Sequence, residues 1–207
     1  AMHFIYSGNF IAQLEKSQFD SIRAVMGFIR QIFPGNWKSE EVFYTPEVAL
    51  TFSAEGLGKM TRNFHDFYRQ HLIRSKYRNQ KRPILINNWE ATYFDFNTEK
   101  LLDIAKLASQ YGIEMLVMDD GWFGHRNDDS TSLGDWFVNE KKLPGGLNYL
   151  VDEVNKLGMK FGIWMEPEMI SPDSELYKEH PDWAIAVKGR TGTLSRNQYV
   201  LDSAEKM

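Results

Sequence analysis

Ile84-Leu85-Ile86-Asn87-Asn88-Trp89-Glu90, directly after Pro83, is the stretch on which the fold turns. Ile84 to Asn87 reads as a short apolar strand, and it runs into amide, indole and carboxylate rather than into a glycine-rich dinucleotide loop. Downstream, Asn97-Thr98 predicts a helix cap, with Leu101, Ile104, Ala105 and Ala108 on the inner face and Gly112 at the end. Ile113 to Met118 reads as a second strand. Leu147, Leu150, Val151, Val154 and Leu157 mark a second amphipathic helix closed by Gly158, and Lys160 to Met165 reads as a third strand. A βαβαβ series makes a parallel sheet, either an open doubly wound one or the first part of a (β/α)8 barrel. Without a dinucleotide loop after the first strand, the barrel is the better reading. A whole barrel takes roughly 250 residues, so the expected fold is α/β, a partial (β/α)8 TIM barrel over residues 82–207.

Upstream, residues 4–53 show short alternating apolar runs, such as Ile22, Ala24, Met26, Phe28 and Val48, Leu50, Phe52, interrupted by Pro34-Gly35-Asn36. These predict antiparallel strands, too few to close a sandwich. From Gly56 to about Tyr77, the residues Leu57, Met60, Phe64, Phe67, Tyr68, His71 and Leu72 recur at helical spacing. The expected organisation is therefore 1–55 as strands from a truncated β-sandwich, 56–81 as a linking helix and 82–207 as the barrel segment. Ala1-Met2-His3 reads as a vector remnant, so an excised segment is expected.

The 24 Lys and Arg nearly balance 28 Asp and Glu, and the resulting charge of −4 gives no general field for nucleic acid or an anionic membrane. The run Arg74, Lys76, Arg78, Lys81, Arg82 has no nucleic-acid motif around it and reads as a solvated linker. No apolar run nears the roughly 20 residues of a spanning helix, and the first residues show no basic segment followed by an apolar stretch resembling a signal peptide. The absence of cysteine favours a reducing compartment; a cytoplasmic protein is expected.

Barrel chemistry sits where the strands end. Here those ends are Asn88-Trp89-Glu90, Asp119-Asp120-Gly121-Trp122 and Trp164-Met165-Glu166-Pro167-Glu168. Carboxylates accept paired hydrogen bonds from neighbouring hydroxyls, and an indole covers the apolar face of a sugar ring, so the combination suits a carbohydrate. Competing readings exist for each. One of Asp119 and Asp120 could merely cap the turn at Gly121, Glu166 and Glu168 could face the pocket or the loop, and Trp122, Trp136 and Trp183 are as suited to packing as to contact. No calcium-loop or H-E-x-x-H spacing supports a metal site.

Four segments carry a resemblance: Ile86-Asn87-Asn88-Trp89-Glu90-Ala91-Thr92-Tyr93-Phe94, Met118-Asp119-Asp120-Gly121-Trp122-Phe123-Gly124, Gly162-Ile163-Trp164-Met165-Glu166-Pro167-Glu168-Met169 and Arg196-Asn197-Gln198-Tyr199. In order and spacing they resemble the family 36 glycoside hydrolases. Tyr6-Ser7-Gly8-Asn9-Phe10 and Thr45-Pro46-Glu47-Val48 resemble the end of that family's N-terminal β-sandwich domain. The resemblance implies a retaining α-galactosidase acting on melibiose- or raffinose-type substrates without a cofactor, in a parent protein that often forms tetramers. It further implies that Asp119 and Asp120 hold galactose hydroxyls, Trp164 lines the sugar subsite, Arg196 hydrogen-bonds substrate and Trp89 borders the pocket. The family's aspartate nucleophile, in a Lys-Trp-Asp type motif, and its aspartate acid/base have no counterpart before Met207. Alternatives within the same picture are a galactose-binding segment without catalysis, an α-N-acetylgalactosaminidase, or galactosyl transfer.

Overall fold

A computed structural model describes residues 1–28, 40, 42–187, 189–190 and 196–202. The Pro34-Gly35-Asn36 break lies outside the described residues. The chain divides into two compact units, Ala1–Lys81 and Arg82–Met207.

In the first unit, β1 (Met2–Phe4) pairs antiparallel with β4 (Val48–Leu50), and β2 (Phe10–Lys16) forms a hairpin with β3 (Ile22–Phe28). The hairpin register runs from Phe10 opposite Phe28 to Lys16 opposite Ile22. Because side chains alternate and opposed residues share a face, Phe10, Ala12 and Leu14 lie with Ala24, Met26 and Phe28 on one apolar side. Helix α1 (Gly56–Phe67) buries Phe64, whose ring stacks on His3 at 3.8 Å. The predicted helix to Tyr77 ends sooner. After Phe67 the backbone widens into a π turn over Tyr68–Leu72, closed by the Ile73 N–H on the Tyr68 carbonyl at 2.8 Å, and Ile73 is extended.

The second unit is built on three parallel strands in chain order, β5 (Leu85–Asn87), β6 (Met115–Met118) and β7 (Lys160–Ile163). A four-residue helix α2 (Trp89–Thr92) and then α3 (Thr98–Gln110) lie between the first two, and α4 (Gly146–Lys156) between the second pair. The Asn97 side-chain oxygen takes the Lys100 N–H at 2.9 Å, so the cap read from sequence forms. Central strand β6 alternates, with Leu116 and Met118 fully buried. They pack with Leu101, Ala105 and Ala108 of α3 and with Leu150 and Val154 of α4. Each such leucine stabilises the fold by about 1.5–3 kcal/mol relative to exposure.

A second, antiparallel sheet is made of very short strands, β8 (Met169–Ile170), β10 (Tyr199–Leu201) and β9 (Ala184–Ile185), in that spatial order. Helix α5 (Glu175–Glu179) follows β8. No helix among the described residues is long and apolar enough to cross a membrane.

Candidate active site

The parallel register brings the ends of β5, β6 and β7 to one side of the sheet. Two asparagines join the first two ends. Asn88, fully buried, accepts the Asp119 N–H on Oδ1 at 2.8 Å and donates from Nδ2 to Thr92 Oγ1 at 2.9 Å. Asn87 donates from Nδ2 to Asp119 Oδ2 at 2.5 Å, while its own Oδ1 takes the Trp89 N–H at 2.7 Å. The other Asp119 oxygen accepts the Asp120 N–H at 2.8 Å. Asp119 is thus oriented by neighbours on two strand ends and remains half-buried.

Asp120 has a different environment. It is 5% exposed, and both carboxylate oxygens are held by the guanidinium of Arg126, Nε to Oδ1 and Nη2 to Oδ2, each at 2.7 Å. Arg126 is itself 1% exposed and sends Nη1 to the Thr131 carbonyl at 2.7 Å. The intervening loop folds back through two glycines with positive φ, Gly121 at +101° and Gly124 at +51°. A Cβ on Gly121 would lie 2.9 Å from the Phe94 ring, and one on Gly124 would lie 3.0 Å from Ser132, so only glycine fits either turn. Lys142 closes the loop from the other end: its ammonium donates to the carbonyls of Gly121 at 3.0 Å and Arg126 at 3.2 Å and lies 4.9 Å from the Phe96 ring centroid. Burial pushes the Lys142 ammonium below the usual lysine range, against the charges of Asp120 and Asp95.

Trp164, just past β7, receives the Trp122 indole N–H on its carbonyl at 2.9 Å and stacks near Phe123 at 6.4 Å. Trp122 is core, in line with the packing reading. Trp89, at the start of α2, stands edge-on to Phe94 at 5.0 Å and to Tyr93 at 5.3 Å. Burial, and then the charge of Glu168, push the Glu166 carboxyl above the ordinary glutamate range; the positive charges of Arg126 and Arg196 oppose that, and Asp120 adds to it. Glu166 is therefore within electrostatic reach of the Asp120–Arg126 pair. Arg196 sits exposed on a left-handed turn at φ +59°, with Nε 3.6 Å from Asp129; it is the site residue that the described structure does not tie to a strand end.

The loop between β6 and α4 is anchored on its far side as well. His125 Nε2 and Asp173 Oδ2 lie 2.6 Å apart, and Asp135, 4% exposed, accepts the first two N–H groups of α5, from Glu175 at 3.0 Å and Leu176 at 3.4 Å. Arg126, Lys142 and Asp135 were not among the residues singled out from sequence, and Asn88 was named there only as part of a strand end. For Arg126 a signal existed: glycines one and four positions after Asp120 mark a tight return of the chain.

Carboxylates and indoles thus share the ends of adjacent parallel strands, and among the described residues no group of three or more His, Cys, Asp or Glu could hold a metal ion. A family model described as Melibiase matches residues 42–207. The chain is 54% identical over 199 residues to an α-galactosidase, AgaA, from Geobacillus stearothermophilus, which covers 96% of this chain and 27% of the relative. It superposes with a TM-score of 0.90 and 47% identity on the α-galactosidase of Lactobacillus brevis, over 97% of this chain and 27% of that one. A variant of the Geobacillus enzyme in complex with raffinose matches with a TM-score of 0.87 and 52% identity, over 97% and 28%. The chain therefore spans just over a quarter of the length of the relatives it matches.

Proposed function

The chain belongs to the melibiase family, glycoside hydrolase family 36, and from that premise we propose that it is a segment of a retaining α-galactosidase that grips the terminal galactose of melibiose- and raffinose-type substrates. The observation that carries this reading is the convergence of Asp119, Asp120 and Trp164 at the ends of adjacent parallel strands. In this reading the β5–β6–β7 unit is the opening part of a (β/α)8 barrel, residues 1–55 end a β-sandwich and 56–81 link the two. The raffinose held by the Geobacillus relative is a substrate of the same class.

Asp119 and Asp120 accept hydrogen bonds from galactose hydroxyls, Trp164 lines the sugar subsite, Trp89 borders the pocket, and Arg196 donates to the substrate. These contacts orient the sugar and so supply binding energy to the reaction. A retaining mechanism needs two carboxyl groups about 5–5.5 Å apart, one attacking the anomeric carbon and one protonating the leaving oxygen. We assign both to the parent protein outside this segment, because no Lys-Trp-Asp motif occurs here. The parent is read as a homo-tetramer needing no cofactor.

The test is hydrolysis of an aryl α-galactoside by the full-length gene product. Asp120→Asn should lower kcat/KM by about 10- to 100-fold through a lost charge-assisted contact. Unchanged kcat/KM would remove Asp120 from the site, and no hydrolysis by the wild type would remove the function.

A further inference from the structure

Among the described residues, Arg126 has the largest side chain that is fully buried. A buried guanidinium–carboxylate pair is a poor way to gain stability, because the desolvation of both ions offsets their attraction and packed apolar replacements are often as stable. Its geometry serves orientation instead. Nε and Nη2 grip the two oxygens of Asp120, and Nη1 is fastened to the Thr131 carbonyl, so the guanidinium plane is fixed from both sides and the carboxylate follows it. A carboxylate offers about four lone-pair sites. The fork uses one on each oxygen and leaves the others for a ligand. Lys142 holds the backbone carbonyls of Gly121 and Arg126, and with them both ends of the short loop that aims the fork.

Resting on the α-galactoside reading above, we propose that Arg126 is a positioning residue of the sugar subsite. It fixes the Asp120 carboxylate in one orientation toward the galactose hydroxyls without touching the sugar. A lysine cannot replace it, because an ammonium is a point charge with no planar fork.

The test uses the full-length gene product, an aryl α-galactoside and the series of its monodeoxy analogues. Arg126→Lys should lower kcat/KM on the parent galactoside by about 10- to 100-fold, mostly through KM. That penalty should shrink to within about threefold on at least one deoxy analogue, the one lacking the hydroxyl that Asp120 holds, and Asp120→Asn should select the same analogue. Arg126→Gln, which keeps donors without charge, gives a second reading of the same pattern should the lysine variant fail to fold. With an active wild type, a penalty under threefold, or one equal across all analogues, overturns the positioning role and leaves Arg126 a structural residue. An inactive wild type sinks the α-galactoside reading itself, and this inference with it.

Discussion

Asn88, in the turn after β5, receives the backbone N–H of Asp119, in the turn after β6, at 2.8 Å, so a buried amide fixes the backbone at the start of the Asp-Asp pair. Asn88→Ala leaves that N–H without its partner and takes one donor from the Thr92 hydroxyl, which keeps the backbone carbonyl of residue 88 at 3.2 Å. An unsatisfied buried donor costs about 1–3 kcal/mol, and urea unfolding of the chain should show a loss in that range. A midpoint within error of wild type would mean that water replaces the amide.

Gly121→Ala places a methyl 2.9 Å from the Phe94 ring at φ +101°. Backbone strain of this kind costs about 1–3 kcal/mol, and the loop that carries Arg126 should open first. Hydrogen exchange at residues 121–126 is the measurement. Protection equal to that of wild type contradicts the expectation.

Glu166 gives a pH dependence whose sign is fixed by burial. Its carboxyl is pushed above the ordinary glutamate range, so the folded state takes the proton more readily than the unfolded one. The stabilising contribution is complete below the unfolded value of about 4.3 and is lost as pH rises through the raised native value. Glu166→Gln, permanently neutral, should therefore raise Tm at about pH 7, and the gap should close as the pH falls toward about 4. A gap independent of pH would show that the carboxyl is not the cause.

Asp135 anchors α5 by taking the N–H groups of Glu175 and Leu176, while Ser174 takes that of Tyr177 at 3.1 Å. Asp135→Ala removes the acceptor of two of these three N–H groups and should cost about 0.5–2 kcal/mol, the usual range for a lost helix cap. Thermal unfolding reads it, and Asp135→Asn, which keeps an acceptor, should recover part of the loss.

The elements that follow local rules were legible in the sequence. Asn97 capping, the apolar spacing of Leu101, Ala105 and Ala108, and the apolar run ending at Met118 each carry their own cause, so α3 and β6 were found with boundaries shifted by at most two residues. The π turn at Tyr68 was not legible, because the apolar spacing that suggests continued helix is indifferent to whether the backbone closes with four or five residues. β8, β9 and β10 are too short for an alternating pattern. The strand-end carboxylates and indoles stood out because such residues are rare beside apolar runs. Arg126 did not, since His125-Arg126-Asn127-Asp128-Asp129 reads as a solvated loop, and only the two glycine turns take its guanidinium inside.

Asp120 and Arg126 are six positions apart. Closing so short a segment costs little chain entropy, and loops of about ten residues close within about 10–100 ns. A nascent chain therefore needs no later strand to bring these two groups together, and their pairing can precede the slower assembly of the parallel sheet. The charge pair is local along the chain even though it is interior in the finished molecule.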